Sequence, residues 1–111
     1  MTTDERLNII KEALDDLKAV NIQSLDVTGL TDMMDNIVVC TASSKTHAKA
    51  IARNLEMELK KNKITILGIE GDTKTDWVLV DIGDTVAHIM LQDTRDLYEL
   101  EKFWNITHRE A

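Results

Sequence analysis

Apolar residues recur along this chain at helical spacing near the start and in the middle, and at strand spacing in five shorter runs. Leu7, Ile10, Leu14, Leu17 and Val20 step by three and four, which predicts an amphipathic helix over 4–20. Thr2 and Glu5 have capping-box spacing at its start, and Asn21 is placed to close its end in a left-handed conformation. Residues 24–28 alternate, with Leu25 and Val27 on one side and Asp26 on the other, as in a short strand. Residues 36–41 are almost continuously apolar and β-branched, the pattern of a strand covered on both faces. Ser43 or Ser44 then caps a second helix reaching about Asn62. At about 100° per residue, its Ala48, Ile51, Ala52, Leu55 and Leu59 form one buried stripe. Lys45, Lys49, Arg53 and Lys60 form a basic ridge beside that stripe, either a solvated flank or a patch for RNA or an acidic neighbour. Three further strands are predicted over 64–70, 77–82 and 85–91, and a short helix or two from Asp93 onward.

The last two strands are separated by Gly83-Asp84, and a two-residue loop with Gly first suits a primed hairpin turn. That turn sets the register. Ile82 faces Thr85, Val80 faces Ala87 and Val78 faces Ile89, a small, β-branched set suited to a core. The opposite side pairs Asp81 with Val86, Leu79 with His88, and Trp77 with Met90. It is too polar for a sealed core and too apolar for a purely solvated face. Two readings compete for it. In one, the first helix or the C-terminal segment covers it and Trp77 is a partly buried packing residue. In the other it is a protein-docking surface, since Trp and Met are enriched at interface centres. The order of elements implies an α/β chain with a mixed five-stranded sheet flanked by helices, in which the second strand, second helix and third strand form one crossover.

The 111 residues fit one domain, with a core over about 4–104 and a polar tail over 105–111. No run approaches the ~18 apolar residues of a membrane helix. The polar, acidic start has neither an apolar signal core nor an Arg-rich transit pattern, so a cytoplasmic protein is expected. The one cysteine, Cys40, excludes an internal disulfide or a four-cysteine zinc site, and its apolar neighbours mark it as a small buried hydrophobe. A net charge of −7 works against non-specific nucleic-acid binding and favours a basic protein partner.

Chemical motifs are sparse. His47, His88 and His108 have no helical ligand spacing, so no metal or other cofactor is expected. There is no GxSxG, Walker or GxGxxG motif. One enzymatic pattern remains: polymerase-beta-type nucleotidyltransferases place Gly-Ser at a helix start and paired aspartates on the next strand to hold two metals. Here Ala42 stands in place of the glycine, and Asp81 and Asp84 are three apart across a turn, where aspartate has a simple structural use. No catalytic residue is expected.

The run Leu25-Asp26-Val27-Thr28-Gly29-Leu30, followed by residues 35–44 (DNIVVCTASS), resembles the ribosomal silencing factor (Iojap) family. The likeness continues through Gly68–Gly71 (GIEG), 77–84 (WVLVDIGD), His88-Ile89-Met90 and 95–104 (RDLYELEKFW), covering about residues 4–104. The resemblance implies a non-enzymatic translation repressor. It would bind large ribosomal subunit protein fourteen and block joining of the small subunit, on a fold similar to a degenerate nucleotidyltransferase core. By position, it implies a partner-binding set of Trp77, His88, Met90, Arg95, Tyr98 and Lys102. The alternatives are a nucleotidyltransferase using Asp81 and Asp84, or an RNA-binding module using Lys45, Lys49 and Arg53; a secondary ribosomal RNA contact and a homodimer are also compatible with these surfaces.

Overall fold

In the computed structural model, residues 2–30, 32, 34–71 and 76–98 are described. Thr2 caps the first helix, α1 (Thr3–Asp16), through the expected reciprocal box: its hydroxyl accepts from Glu5 N–H and the Glu5 carboxylate accepts from Thr2 N–H. The helix ends earlier than its apolar spacing suggests. Leu17 is the C-cap, and Lys18 rather than Asn21 supplies the left-handed residue after it (φ 63°). Asn21 is also left-handed (φ 51°), but within β1 (Val20–Asp26), where the register slips between Val20 and Gln23. An Asn tolerates that conformation at either place, so the residue preference was right and the element wrong.

β2 (Asn36–Ala42) is buried along nearly its whole length, as its composition predicts. Ser44 caps α2 (Lys45–Lys61), and the buried residues of α2 are Ala48, Ile51, Ala52, Leu55 and Leu59, the predicted stripe. β3 is shorter than its apolar run, at Gly68–Glu70. Ile64 and Ile66 instead pack into the core ahead of it. β4 (Trp77–Asp81) and β5 (Thr85–Leu91) pair antiparallel in the register set by the Gly83-Asp84 turn, with Gly83 at φ 99°. A short α3 (Gln92–Tyr98) follows β5 directly.

The five strands form one mixed sheet in the order β1-β2-β5-β4-β3, with β2 and β5 parallel and every other pair antiparallel. β3 therefore runs parallel to β2, and α2 carries the chain over β5 and β4 to the far edge. The main core lies between the sheet and the two long helices. It holds Ile10, Leu14, Ile51, Leu55 and Leu59 against Val38, Cys40, Val78, Val80 and Ile89. Burial pushes the Cys40 thiol up to about 12, the reactivity of an inert packing residue. Polar ties join the helices: His47 Nε2 donates to Leu17 O at 2.6 Å while its Nδ1 accepts from Ser43 N–H at 2.9 Å, and Asn54 donates to Ala13 O at 2.8 Å. No helix among the described residues is long and apolar enough to cross a membrane.

Candidate functional site: a half-covered sheet face

The sheet face turned away from α1 and α2 carries a second, smaller core. Val27, Ile37, Val39 and Met90 are buried there, with Leu25, Leu30, Met34 and Trp77 packed around them. Over β1, β2 and β5 this face is closed; over β4 and β3 it is not. The cover comes from the chain after β1, not from the first helix, which packs on the other side of the sheet.

Register puts Trp77, Leu79 and Asp81 on this side of β4, opposite Met90, His88 and Val86 of β5, and aligns Glu70 of β3 with Leu79. Trp77 is half-buried. Its indole N–H donates to His88 Nδ1 at 2.9 Å, and the two ring centroids are 5.6 Å apart. An indole N–H only donates, so Nδ1 must accept and the neutral imidazole keeps its proton on Nε2. Burial lowers the His88 pKa to about 4, which keeps the ring in that acceptor state at neutral pH. On its other side Trp77 meets Tyr98 of α3, with ring centroids 4.9 Å apart at an interplanar angle of 52°.

α3 is held down by Arg95. Its guanidinium is buried and donates from Nη1 to Thr41 Oγ1 at 2.8 Å, a tie from the C-terminal helix to β2. With its underside fixed in this way, α3 turns Leu97 (75% exposed) and Tyr98 (54% exposed) to solvent. Together with Trp77, Leu79, Glu70 and Asp76 they line an open groove of about 560 Å³. Two exposed side chains and a half-buried indole beside acidic ones make an apolar plate with a negative rim.

Of the sequence-derived partner set, this geometry brings together Trp77, His88, Met90, Arg95 and Tyr98, and changes the part three of them can play. Met90 is fully buried, His88 and Arg95 nearly so, and none presents a contact surface; they hold Trp77 and α3 from beneath. Met90 lost its exposure because the chain after β1, through Val27, Leu30 and Met34, folds over it. Lys102 and His108 lie outside the described residues. Leu79, which the hairpin register puts on this face, and Leu97 of α3 also line the groove, though neither is in the partner set. The two aspartates of the enzymatic alternative are already engaged. Asp81 Oδ1 accepts from Gly83 N–H at 2.8 Å, a turn-stabilising bond, and Asp84 pairs with Arg6 at 2.9 Å. Among the described residues no three His, Cys, Asp or Glu side chains converge as a metal site would require.

A mixed sheet with helices on one side and a partly open aromatic face on the other defines a class of small α/β proteins with a surface site rather than an internal cleft. This chain belongs to the family described as ribosomal silencing factor during starvation, which it matches over residues 1–111. It is 40% identical over 98 residues to the ribosomal silencing factor RsfS of Haemophilus influenzae, covering 88% of this chain and 96% of the relative. A crystal structure of a Chromobacterium violaceum protein superposes with a TM-score of 0.91 at 38% identity, covering 95% of this chain and 88% of that one. A second, from Bacillus halodurans, gives a TM-score of 0.83 at 34% identity, covering 92% and 95%. Family membership carries a ribosome-silencing role.

Proposed function

We propose that the chain represses translation by docking its Trp77 face on the large ribosomal subunit, at ribosomal protein fourteen, and sterically blocking the small subunit. The observation that supports this reading is the plate formed by the half-buried Trp77 with the exposed Leu97 and Tyr98, braced from below by His88, Met90 and Arg95. Tryptophan and tyrosine are the residues on which binding energy concentrates, and rigid bracing lowers the ordering cost of presenting them. Glu70 and Asp76 on the rim, and Asp93 and Asp96 on α3, suit a basic partner, with a net charge of −7 steering the encounter. Lys102 joins the contact set on the strength of the family resemblance.

The mechanism needs occupancy and no bond-making. A bound body of 12.6 kDa at the joining surface excludes the opposing subunit, and the fraction silenced follows concentration and affinity by mass action. Asp81 and Asp84 belong on this account to a turn and an ion pair, and the nucleotidyltransferase likeness of the fold is architectural only.

The test is co-sedimentation of purified protein with isolated large subunits, and the yield of joined ribosomes when small subunits are added. Wild-type protein should travel with large subunits and lower that yield. A folded Trp77→Ala variant should bind about 30-fold more weakly, the equivalent of about 2 kcal/mol at a hot spot. Undiminished binding by that variant would remove Trp77 from the interface. Self-association that disappears with the same substitution, without subunit binding, would assign the face to a homodimer instead.

A further inference from the structure

The plate leaves one prominent surface feature unused. Lys45, Lys49, Arg53, Lys60, Lys61 and Lys63 stand against only Glu56 and Glu58 in residues 45–63, so α2 and its end are net positive in a chain of charge −7. Within α2 the charges are not arranged to satisfy one another. Lys45, Lys49 and Arg53 follow at intervals of four, about 6 Å apart along the axis, where like charges destabilise a helix. No acidic residue occupies the first turn, and Lys45 stands there against the helix dipole. Asp76 reaches Lys45 at 3.5 Å and Glu56 reaches Lys60 at 3.1 Å. Among the described residues no carboxylate lies within 4 Å of Lys49 or Arg53.

Those two cations form a crest between two shallow grooves. One, of about 470 Å³, has Leu17, Ala50 and Met57 in its lining; the other, of about 260 Å³, has Ala52, Ile69 and Val78. Glu56 also lines the second groove, where it is taken up by Lys60 at 3.1 Å. No aromatic side chain lines either groove, so there is no platform for a stacked base. What fits a row of cations at one-turn intervals, without base-reading groups, is a sugar-phosphate backbone read for its charge alone. Lys49 and Arg53 stand on α2, which covers the sheet face opposite the Trp77 plate, while Lys45 reaches Asp76 at the plate's rim, so the two surfaces are distinct but adjoin at that edge.

We infer that the Lys45–Lys49–Arg53 crest is a second binding surface, taking the phosphate backbone of RNA, which lets the protein touch an RNA segment while the plate holds a protein. The inference deepens the ribosomal reading by naming a second component of the particle, and its test uses free RNA so that the two can fail separately. The experiment is fluorescence anisotropy of the full chain with a labelled 16-base-pair RNA duplex of arbitrary sequence, at 50 and 200 mM salt. With three phosphate contacts, wild-type affinity should fall about 40-fold over that range. A K49Q/R53Q variant, left with one contact, should bind more weakly at 50 mM and lose only about 4-fold. Trp77→Ala should leave duplex binding unchanged even where it loses the large subunit. Absence of duplex binding at 50 mM, or a salt dependence unaltered in the double variant, overturns the inference. So does a double variant that binds the duplex normally but co-sediments poorly with large subunits; the crest would then face an acidic protein surface.

Discussion

Acidification should loosen the candidate docking face through one residue, His88, by an amount that can be worked out. Folded, His88 has a pKa of about 4 because burial disfavours the imidazolium; unfolded, it returns to the ordinary 6.5. Between those values the unfolded chain binds the proton and the folded chain does not, so stability falls as pH falls from about 6.5 toward 4. At pH 5.5 the loss is about 1 kcal/mol and at pH 4.5 about 2–3 kcal/mol, relative to pH 8. Against a typical 5–15 kcal/mol of total stability that is a sizeable fraction. Protonation also turns Nδ1 from acceptor to donor and so breaks the bond from the Trp77 indole. Urea denaturation followed by far-UV circular dichroism at pH 8, 5.5 and 4.5 measures the effect. Since the chain has two other histidines, the comparison is with His88→Gln, which keeps an acceptor but has no proton to gain. The difference in pH dependence between the two proteins should match the figures above. Identical pH dependence in wild type and His88→Gln would refute the reasoning.

Arg95→Ala should free α3 from β2 by removing the Thr41 bond: subunit binding should drop in co-sedimentation, while Trp77 stays in place. Leu55→Ala, at a fully buried position facing the sheet, should cost about 2–5 kcal/mol in urea titrations without a specific effect on binding by the remaining folded protein. Asp81→Asn should retain subunit binding and silencing, and neither it nor wild type should turn over ATP or CTP with Mg²⁺; turnover lost on substitution would restore the enzymatic alternative.

What the sequence disclosed follows from which interactions are local. The β4–β5 register could be read because a two-residue turn and a period-two pattern leave one consistent pairing, and the α2 stripe because five apolar positions share one angular sector. Met90 was placed on its correct side of the sheet, yet its burial depends on Val27, Leu30 and Met34, residues more than fifty positions away. The burial of Arg95 was illegible for a related reason. Arginine belongs at the surface unless a partner is buried with it, and Thr41 becomes that partner only once α3 lies across β2. β3 shortened because the chain at Ile64 and Ile66 packs against the core without pairing as a strand. The site itself was half legible: the hairpin pattern exposed its strand residues, while Leu97 and Tyr98 gained their place from a helix docking that no local pattern specifies.

The central claim is that an aromatic plate left bare by folding acts as a wedge between ribosomal subunits. Sucrose-gradient profiles of mixed subunits, titrated with wild-type protein and with Trp77→Ala of equal circular dichroism, test it most directly. The account predicts that wild type shifts joined ribosomes into free subunits and itself travels with the large one, and that the variant needs about 30-fold more protein for the same shift. Equal potency of the two proteins, or wild-type protein bound to the large subunit while joining proceeds undisturbed, would contradict it.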